Sequence, residues 1–307
     1  MHSVVSGFLP IWIITAFGWA AGRFDLLGDQ AQHVLGRFAF TFAMPSLLFL
    51  TMAKSRPGEL AQPGVAVFAL ALVAVFAAGL VASARLYRRK KAEQAIGAMA
   101  ASYVNSANLG IPVAVHVLHD TSFIVAAALF QMLFITPVIL VLIELDVRQD
   151  TGRPWLRILQ LPVRNPVVGA SIAGVAVAAL GWKLPDEVTS PLTILGGGAV
   201  PAALFALGMS LTTRTAADPG ERAERTLLVT LKTAVQPLLA YALGKWVFDL
   251  DGHELFAVVL CSGLPTAQNA FIFASEYRLD TALPRDTVLL STLLSMASLS
   301  LIAVLLG

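Results

Sequence analysis

Ten apolar stretches, each about as long as a lipid bilayer is thick, constrain this chain more than any other feature. A helix needs about 20 apolar residues to cross the hydrocarbon core, and a backbone at that depth must satisfy its own hydrogen bonds. The stretches therefore predict an all-α integral membrane protein with ten transmembrane helices. They cover residues 4–22, 33–52, 62–84, 92–117, 122–144, 164–182, 190–211, 226–248, 254–277 and 284–306.

Composition supports this class and excludes several others. Hydrophobic residues make up 57% of the chain and charged residues only 13%, whereas soluble domains carry about 25% charged residues. A net charge of +2 gives no case for a nucleic-acid partner. The single cysteine, Cys261, excludes an intrachain disulfide and a thiolate metal cluster. The N-terminus lacks a basic region before its apolar run, so we interpret it as the first span rather than a cleaved signal.

The basic residues predict the orientation of the spans. Of the 21 Lys and Arg residues, 15 fall on one side of the predicted membrane and 3 on the other, with 3 within or at the edges of spans. Loops rich in Lys and Arg stay in the cytoplasm. The bias therefore predicts that both termini lie outside the cell.

Two pairs of motifs indicate an internal repeat. Span two contains MPSLLF and span seven VPAALF, with prolines at 45 and 201. Span four contains LGIP and span nine SGLP, with prolines at 112 and 265, so the offsets are 156 and 153. Residues 1–150 and 151–307 are therefore predicted to be two five-helix repeats. Because five is odd, the repeats must be inverted, an architecture characteristic of secondary transporters.

Glycine and proline are predicted to interrupt spans four and nine near the middle of the membrane. Proline removes a backbone hydrogen bond and clashes with the preceding turn, and each proline here follows a glycine by two residues, as Gly110–Pro112 and Gly263–Pro265. A simple proline kink is the alternative explanation. Two such positions in corresponding spans, each flanked by amides and hydroxyls, favour a binding site.

The chemistry of the flanking residues favours an anion. Helix segments that begin at the interruptions present unpaired amides and the positive end of the helix dipole, which suits a carboxylate. No Asp or Glu lies in the middle of a span. The predicted substrate-binding residues are Asn105, Ser106, Asn108, Gly110, Pro112, Pro265, Thr266, Gln268 and Asn269.

Lys232 is the one basic residue well inside a predicted span. Its side chain either extends to the cytoplasmic surface or faces the cavity as a charge partner for the anion. No catalytic constellation or metal-ligand set can be assembled from the loops, so we predict neither an enzyme nor a cofactor. Either H⁺ or Na⁺ remains open as a coupling ion.

Five segments resemble the auxin efflux carrier family over nearly the whole chain: NSANLGIPVA, RNPVVGA, AVPAALFALGMSL, LKTAVQPLLA and SGLPTAQNAFIFASEY. The family has bacterial members assigned to malonate and malate. The resemblance implies a fold similar to bile-acid symporters, in which broken helices four and nine cross. It implies a scaffold of helices 1, 2, 6 and 7, a transport unit of helices 3–5 and 8–10, and a homodimer formed through the scaffold. The implied location is the bacterial plasma membrane.

The resemblance implies a binding site for an organic anion, formed by Asn105, Asn108, Pro112, Pro265, Gln268 and Asn269. The long cytoplasmic loop of the plant carriers is missing here, so neither regulation through that loop nor auxin as substrate is carried over. We predict a secondary transporter of small organic carboxylates that works by alternating access within the lipid bilayer. The alternatives are a Na⁺-coupled carrier of bulkier amphipathic anions and a membrane receptor that does not transport.

Overall fold

The structure, a computed structural model, describes residues 2–28, 30–54, 62–147, 165–213 and 219–307. Within these ranges the chain is helical and contains no β-strand, apart from one isolated antiparallel bridge between Val104 and Thr266. This agrees with the predicted all-α class.

Six helical segments lie in the first half of the chain. They are α1 (His2–Arg23), α2 (Ala31–Ala53), α3 (Pro63–Arg85), α4 (Lys91–Ser102), α5 (residues 106–118) and α6 (Ser122–Val147). Six more lie in the second half. They are α7 (Pro166–Ala179), α8 (Asp186–Ser210), α9 (Gly220–Trp246), α10 (Gly252–Ser262), α11 (Asn269–Glu276) and α12 (Ala282–Leu306).

Six of these helices, namely α2, α3, α6, α8, α9 and α12, are long and apolar enough to cross a membrane. The prediction of an integral membrane protein therefore agrees with the structure. The finer prediction, ten spans in two inverted repeats, stays a prediction.

Four of the prolines inside the described helices are accommodated by local widening of the helix. In each case a π turn of five residues ends two positions before the proline. The N–H of the residue preceding the proline then donates to the carbonyl five residues back, as from Gln236 to Leu231. The wider turn gives the proline ring room beside the preceding turn, and the helix continues. The prolines concerned are Pro45, Pro112, Pro137 and Pro237.

The helices pack in two groups. In one group, α1 and α2 contact α7 and α8; in the other, α3 and α4 pack with α6, α9 and α12. Gly18 and Gly208 allow α1 and α8 to approach closely, because a Cβ atom on either glycine would collide with the backbone of the other helix. Phe68, Phe271 and Phe273 are fully buried in one apolar core to which both groups contribute.

Helix is absent from two short stretches that matter for the site. We call residues 103–105, between α4 and α5, the first interruption, and residues 263–268, between α10 and α11, the second. The second contains Gly263 and Pro265. The first lies earlier than predicted, because Gly110 and Pro112 are helical and the π turn over Ser106–Gly110 absorbs the proline.

Candidate anion-binding cleft

The two interruptions lie against each other and are joined through their backbones. The Asn105 N–H donates to the Pro265 carbonyl at 2.9 Å, and the Ala267 N–H donates to the Tyr103 carbonyl at 3.0 Å. Peptide groups outside a helix need other partners when they are buried away from water. Mutual pairing supplies these partners, so each interruption stabilises the other.

Gln131 of α6 stabilises the first interruption through three hydrogen bonds. Its Oε1 accepts the Val104 N–H at 2.7 Å, and its Nε2 donates to the Val104 carbonyl and to Ser106 Oγ, both at 3.2 Å. The side chain is fully buried. One neutral amide thus satisfies both backbone groups of Val104, which are the groups that a helix would otherwise have paired.

Contacts with three other helices hold the second interruption, two through side chains of those helices and one through the side chain of Thr266. Ser291 Oγ of α12 accepts the Thr266 N–H at 3.1 Å. Thr266 Oγ1 donates to the Ala100 carbonyl of α4 at 2.6 Å. Lys232 Nζ of α9 donates to the carbonyl of Ser262, the last residue of α10, at 2.9 Å. A lysine amino group therefore lies at the C-terminal end of a helix, where the negative end of the dipole favours a positive charge.

A cleft opens beside this contact, and polar residues in or directly after both interruptions line it. Its empty volume, open solvent included, is about 500 Å³. The polar lining comes from the beginning of α5 on one side and the beginning of α11 on the other. The polar residues are Asn105, Ser106, Asn108, Gln268 and Asn269, all of which the sequence predicted as site residues.

Apolar residues form the opposite walls of the cleft. Met44, Leu47 and Leu48 of α2 face it from one side, and Ala199 and Val200 of α8 from another. These residues flank the two prolines of the repeated P-x-x-L-F motif. We used that motif to find the repeat and did not predict that it lines the site. The duplication of the motif is the sequence feature that could have indicated this role.

The cleft offers hydrogen-bond donors without a full charge. No charged residue lines it among the parts of the chain that the structure describes. Asn105 and Gln268, which precede α5 and α11, make no side-chain bond to the first amides of those helices. Gln268 is 2% exposed, and its Oε1 has no partner within the described residues. Carboxamides and helix N-termini that are left uncapped suit a carboxylate group.

The other predicted residues lie outside the lining of the cleft. Pro265 and Thr266 form the contact with the first interruption. Gly110 is packed closely in α5, where a Cβ would lie 2.8 Å from Ile124 Cδ1. Pro112 lies one helical turn past the polar residues. Lys232 is fully buried, so its side chain does not extend to the surface, and it contacts the end of α10.

Sequence comparisons match the whole chain to one family. The sequence model of the family described as "Membrane transport protein" matches residues 3–152 and 156–303. Similar proteins include one from Rhizobium meliloti named "Putative malonate transporter", 26% identical across 98% of this chain and 95% of that protein. An "Uncharacterized transporter" of Methanothermobacter thermautotrophicus is 27% identical across 97% of each chain.

A plant relative extends the similarity. "Auxin efflux carrier component 8" of Arabidopsis thaliana is 24% identical over 136 residues, which are 43% of this chain and 37% of that protein. These matches agree with the resemblance that the sequence motifs indicated.

Proposed function

Since the chain belongs to the membrane transport protein family that includes the auxin efflux carriers, we propose that it carries small organic carboxylates by alternating access. Membership of this family makes it a multi-pass membrane transporter rather than an enzyme. The proposal adds the substrate class, the site and the mechanism.

One observation carries the proposal. Five polar residues that lie in or directly after the two interruptions line a single cleft in an otherwise apolar protein. Buried polar residues in a membrane protein are expensive and mark substrate pathways. Asn105, Ser106 and Asn108 would bind one side of a carboxylate, and Gln268 and Asn269 the other.

The proposed architecture is ten spans in two inverted repeats. In it, α4 with α5 and α10 with α11 form two broken spans that cross at residues 103–105 and 263–268. The two packing groups support a division into a scaffold of α1, α2, α7 and α8 and a transport unit of the remaining helices. The cleft lies where these groups meet, because α2 and α8 form its apolar walls. Rocking of one group against the other would then switch access.

A short dicarboxylate such as malonate is the first substrate to test. The malonate name belongs to a relative that matches this chain along nearly its full length. The neutral lining of the cleft supports recognition by hydrogen bonds rather than by ion pairs. We further propose that the scaffold forms a homodimer and that the protein lies in the plasma membrane with both termini outside.

Counterflow in proteoliposomes tests this function. Purified protein is reconstituted with unlabelled malonate inside, and uptake of labelled malonate is followed, with and without Na⁺. Acetate, succinate and a bile acid serve as competitors, and empty liposomes are the control. We expect labelled malonate to accumulate transiently and succinate or acetate to compete.

Other results identify the alternatives. Competition by the bile acid alone, with uptake that requires Na⁺, would favour the carrier of bulkier anions. Saturable binding of malonate to the detergent-solubilised protein without any counterflow would favour a receptor. Neither binding nor exchange of any carboxylate would reject the proposal.

A further inference from the structure

Lys232 is the largest charged side chain that is fully buried in the described part of the chain. It lies in the π turn of α9 that precedes Pro237. Its Nζ donates to Gln236 Oε1 at 2.7 Å and to the Ser262 carbonyl at 2.9 Å. No carboxylate lies within ion-pair distance of it among the described residues. An apolar residue would fill the same space without the cost of burying an unpaired charge.

The groups around the ammonium are oxygen ligands of the kind that a metal cation uses. The Ser262 carbonyl ends α10 at the second interruption, and C-terminal ends of half-helices in transporters coordinate Na⁺. Gln236 Oε1 provides a second neutral oxygen. The ammonium therefore has two oxygen partners, because Ser262 Oγ, although fully buried, makes no hydrogen bond to it or to any other group within the described residues.

We propose that these oxygens form a cation site at the end of α10 and that the ammonium group of Lys232 occupies it permanently. The side chain then replaces a coupling metal ion. Its charge stabilises the C-terminal end of α10. The second interruption begins there and leads to Gln268 and Asn269 at the beginning of α11. This inference rests on the proposed function only where it concerns transport; the existence of the site does not depend on the substrate.

The corresponding place in the first repeat has a different chemistry. The first interruption is held by the neutral amide of Gln131, and the described residues place no cationic side chain on it. The charge therefore belongs to the second repeat alone. This asymmetry fits a site that is filled once, by a residue of the chain.

Two variants separate the cation site from simple packing. Lys232→Ala removes the ammonium group and leaves a space, whereas Lys232→Met removes the charge and fills the space. Thermal unfolding of each purified protein is measured with methylammonium chloride, with NaCl, and with tetramethylammonium chloride, whose cation is too large to enter. The wild-type protein is measured in parallel.

We expect methylammonium or Na⁺ to raise the unfolding midpoint of Lys232→Ala by on the order of a few degrees at concentrations well above the dissociation constant. Tetramethylammonium should not raise it, and neither Lys232→Met nor the wild type should respond to any of these salts. An Ala variant that responds equally to all three salts, or to none, would overturn the proposal.

The wild-type protein gives an independent test if Lys232→Ala does not fold. Malonate counterflow is compared in NaCl, KCl and N-methyl-D-glucamine chloride. Equal rates are expected, because the cation is already built in; a requirement for Na⁺ or K⁺ would overturn the inference and leave carboxylate transport intact. Conversely, rescue of Lys232→Ala by methylammonium without carboxylate exchange by the wild type would reject the transport function and keep the site.

Discussion

The two interruptions solve the same problem with different chemistry. At the first, one buried amide, Gln131, pairs with both backbone groups of Val104. At the second, the hydroxyl of Ser291 and the ammonium of Lys232 act on Thr266 and Ser262 from two helices. A duplicated backbone therefore does not require duplicated side chains. Side chains of other helices support each interruption, and these side chains differ between the two. Toward the cleft, both interruptions present neutral carboxamide side chains.

This comparison predicts that the first interruption depends most on a single residue. Gln131→Leu would leave the Val104 N–H buried without a partner, at a cost of about 1–3 kcal/mol of unfolding free energy. The Val104 carbonyl would keep its bond from the Ser106 N–H at 2.8 Å. Chemical or thermal unfolding in detergent measures this. Gln94→Leu is the matched control, because Gln94 makes one bond, from Nε2 to the Arg89 carbonyl, at the beginning of a helix. Equal destabilisation by both variants would contradict the assigned role of Gln131.

The cleft should depend on both interruptions for its affinity. Asn108→Leu and Asn269→Leu should each weaken carboxylate binding roughly ten- to hundredfold, because each removes a hydrogen bond to a charged group. Isothermal titration with malonate measures the dissociation constants. Asn165→Ala is the control: it removes a helix cap outside the cleft and should lower stability without changing affinity. An effect confined to one of the two cleft variants would show that only one interruption binds the anion.

Several contacts support the second interruption, so the loss of any one of them should lower the free energy of unfolding less than Gln131→Leu does. Ser291→Ala leaves the Thr266 N–H unpaired and should cost about 1–2 kcal/mol. Ser295→Ala, one turn further along α12, removes only a bond to the carbonyl of its own helix at Thr292 and should cost less. Unfolding midpoints of the two variants, measured side by side, decide this; a larger loss for Ser295→Ala would contradict the account.

The smallest effect is expected where a hydroxyl joins the second interruption to α4. Thr266→Val keeps the shape of the side chain and removes its bond to the Ala100 carbonyl, at about 1 kcal/mol. Thr292→Val is its counterpart, since Thr292 bonds to Val288 within one helix. Equal stability of Thr266→Val and the wild-type protein would mean that this contact does not support the crossing.

Sequence reasoning found the polar side of the cleft because amides in an apolar run are conspicuous. Asn105, Asn108, Gln268 and Asn269 were predicted on that basis, and the structure brings all four to one cleft. The same reasoning put the first interruption at Gly110–Pro112, because proline is the strongest local signal of a break. A π turn can absorb a proline without ending the helix, and the proline alone does not indicate whether the helix ends or widens.

Contacts between distant parts of the chain were beyond the sequence pattern. Gln131 pairs with Val104, 27 residues earlier, and the sequence indicated only that such an amide bonds to another helix. The burial of Lys232 at the end of α10 likewise depends on how α9 packs, which spacing within α9 does not determine. The sequence therefore indicated which residues carry the chemistry of the site, but not which helices pack against each other.

The central claim is that both interruptions bind one carboxylate in one cleft. The most direct test is an experimental structure with bromomalonate, whose bromine gives an anomalous signal that locates the ligand. The account predicts one bromine peak in the cleft, with carboxylate oxygens within hydrogen-bond distance of Asn108 and Gln268. A peak elsewhere in the protein, with this cleft filled only by water, would contradict it.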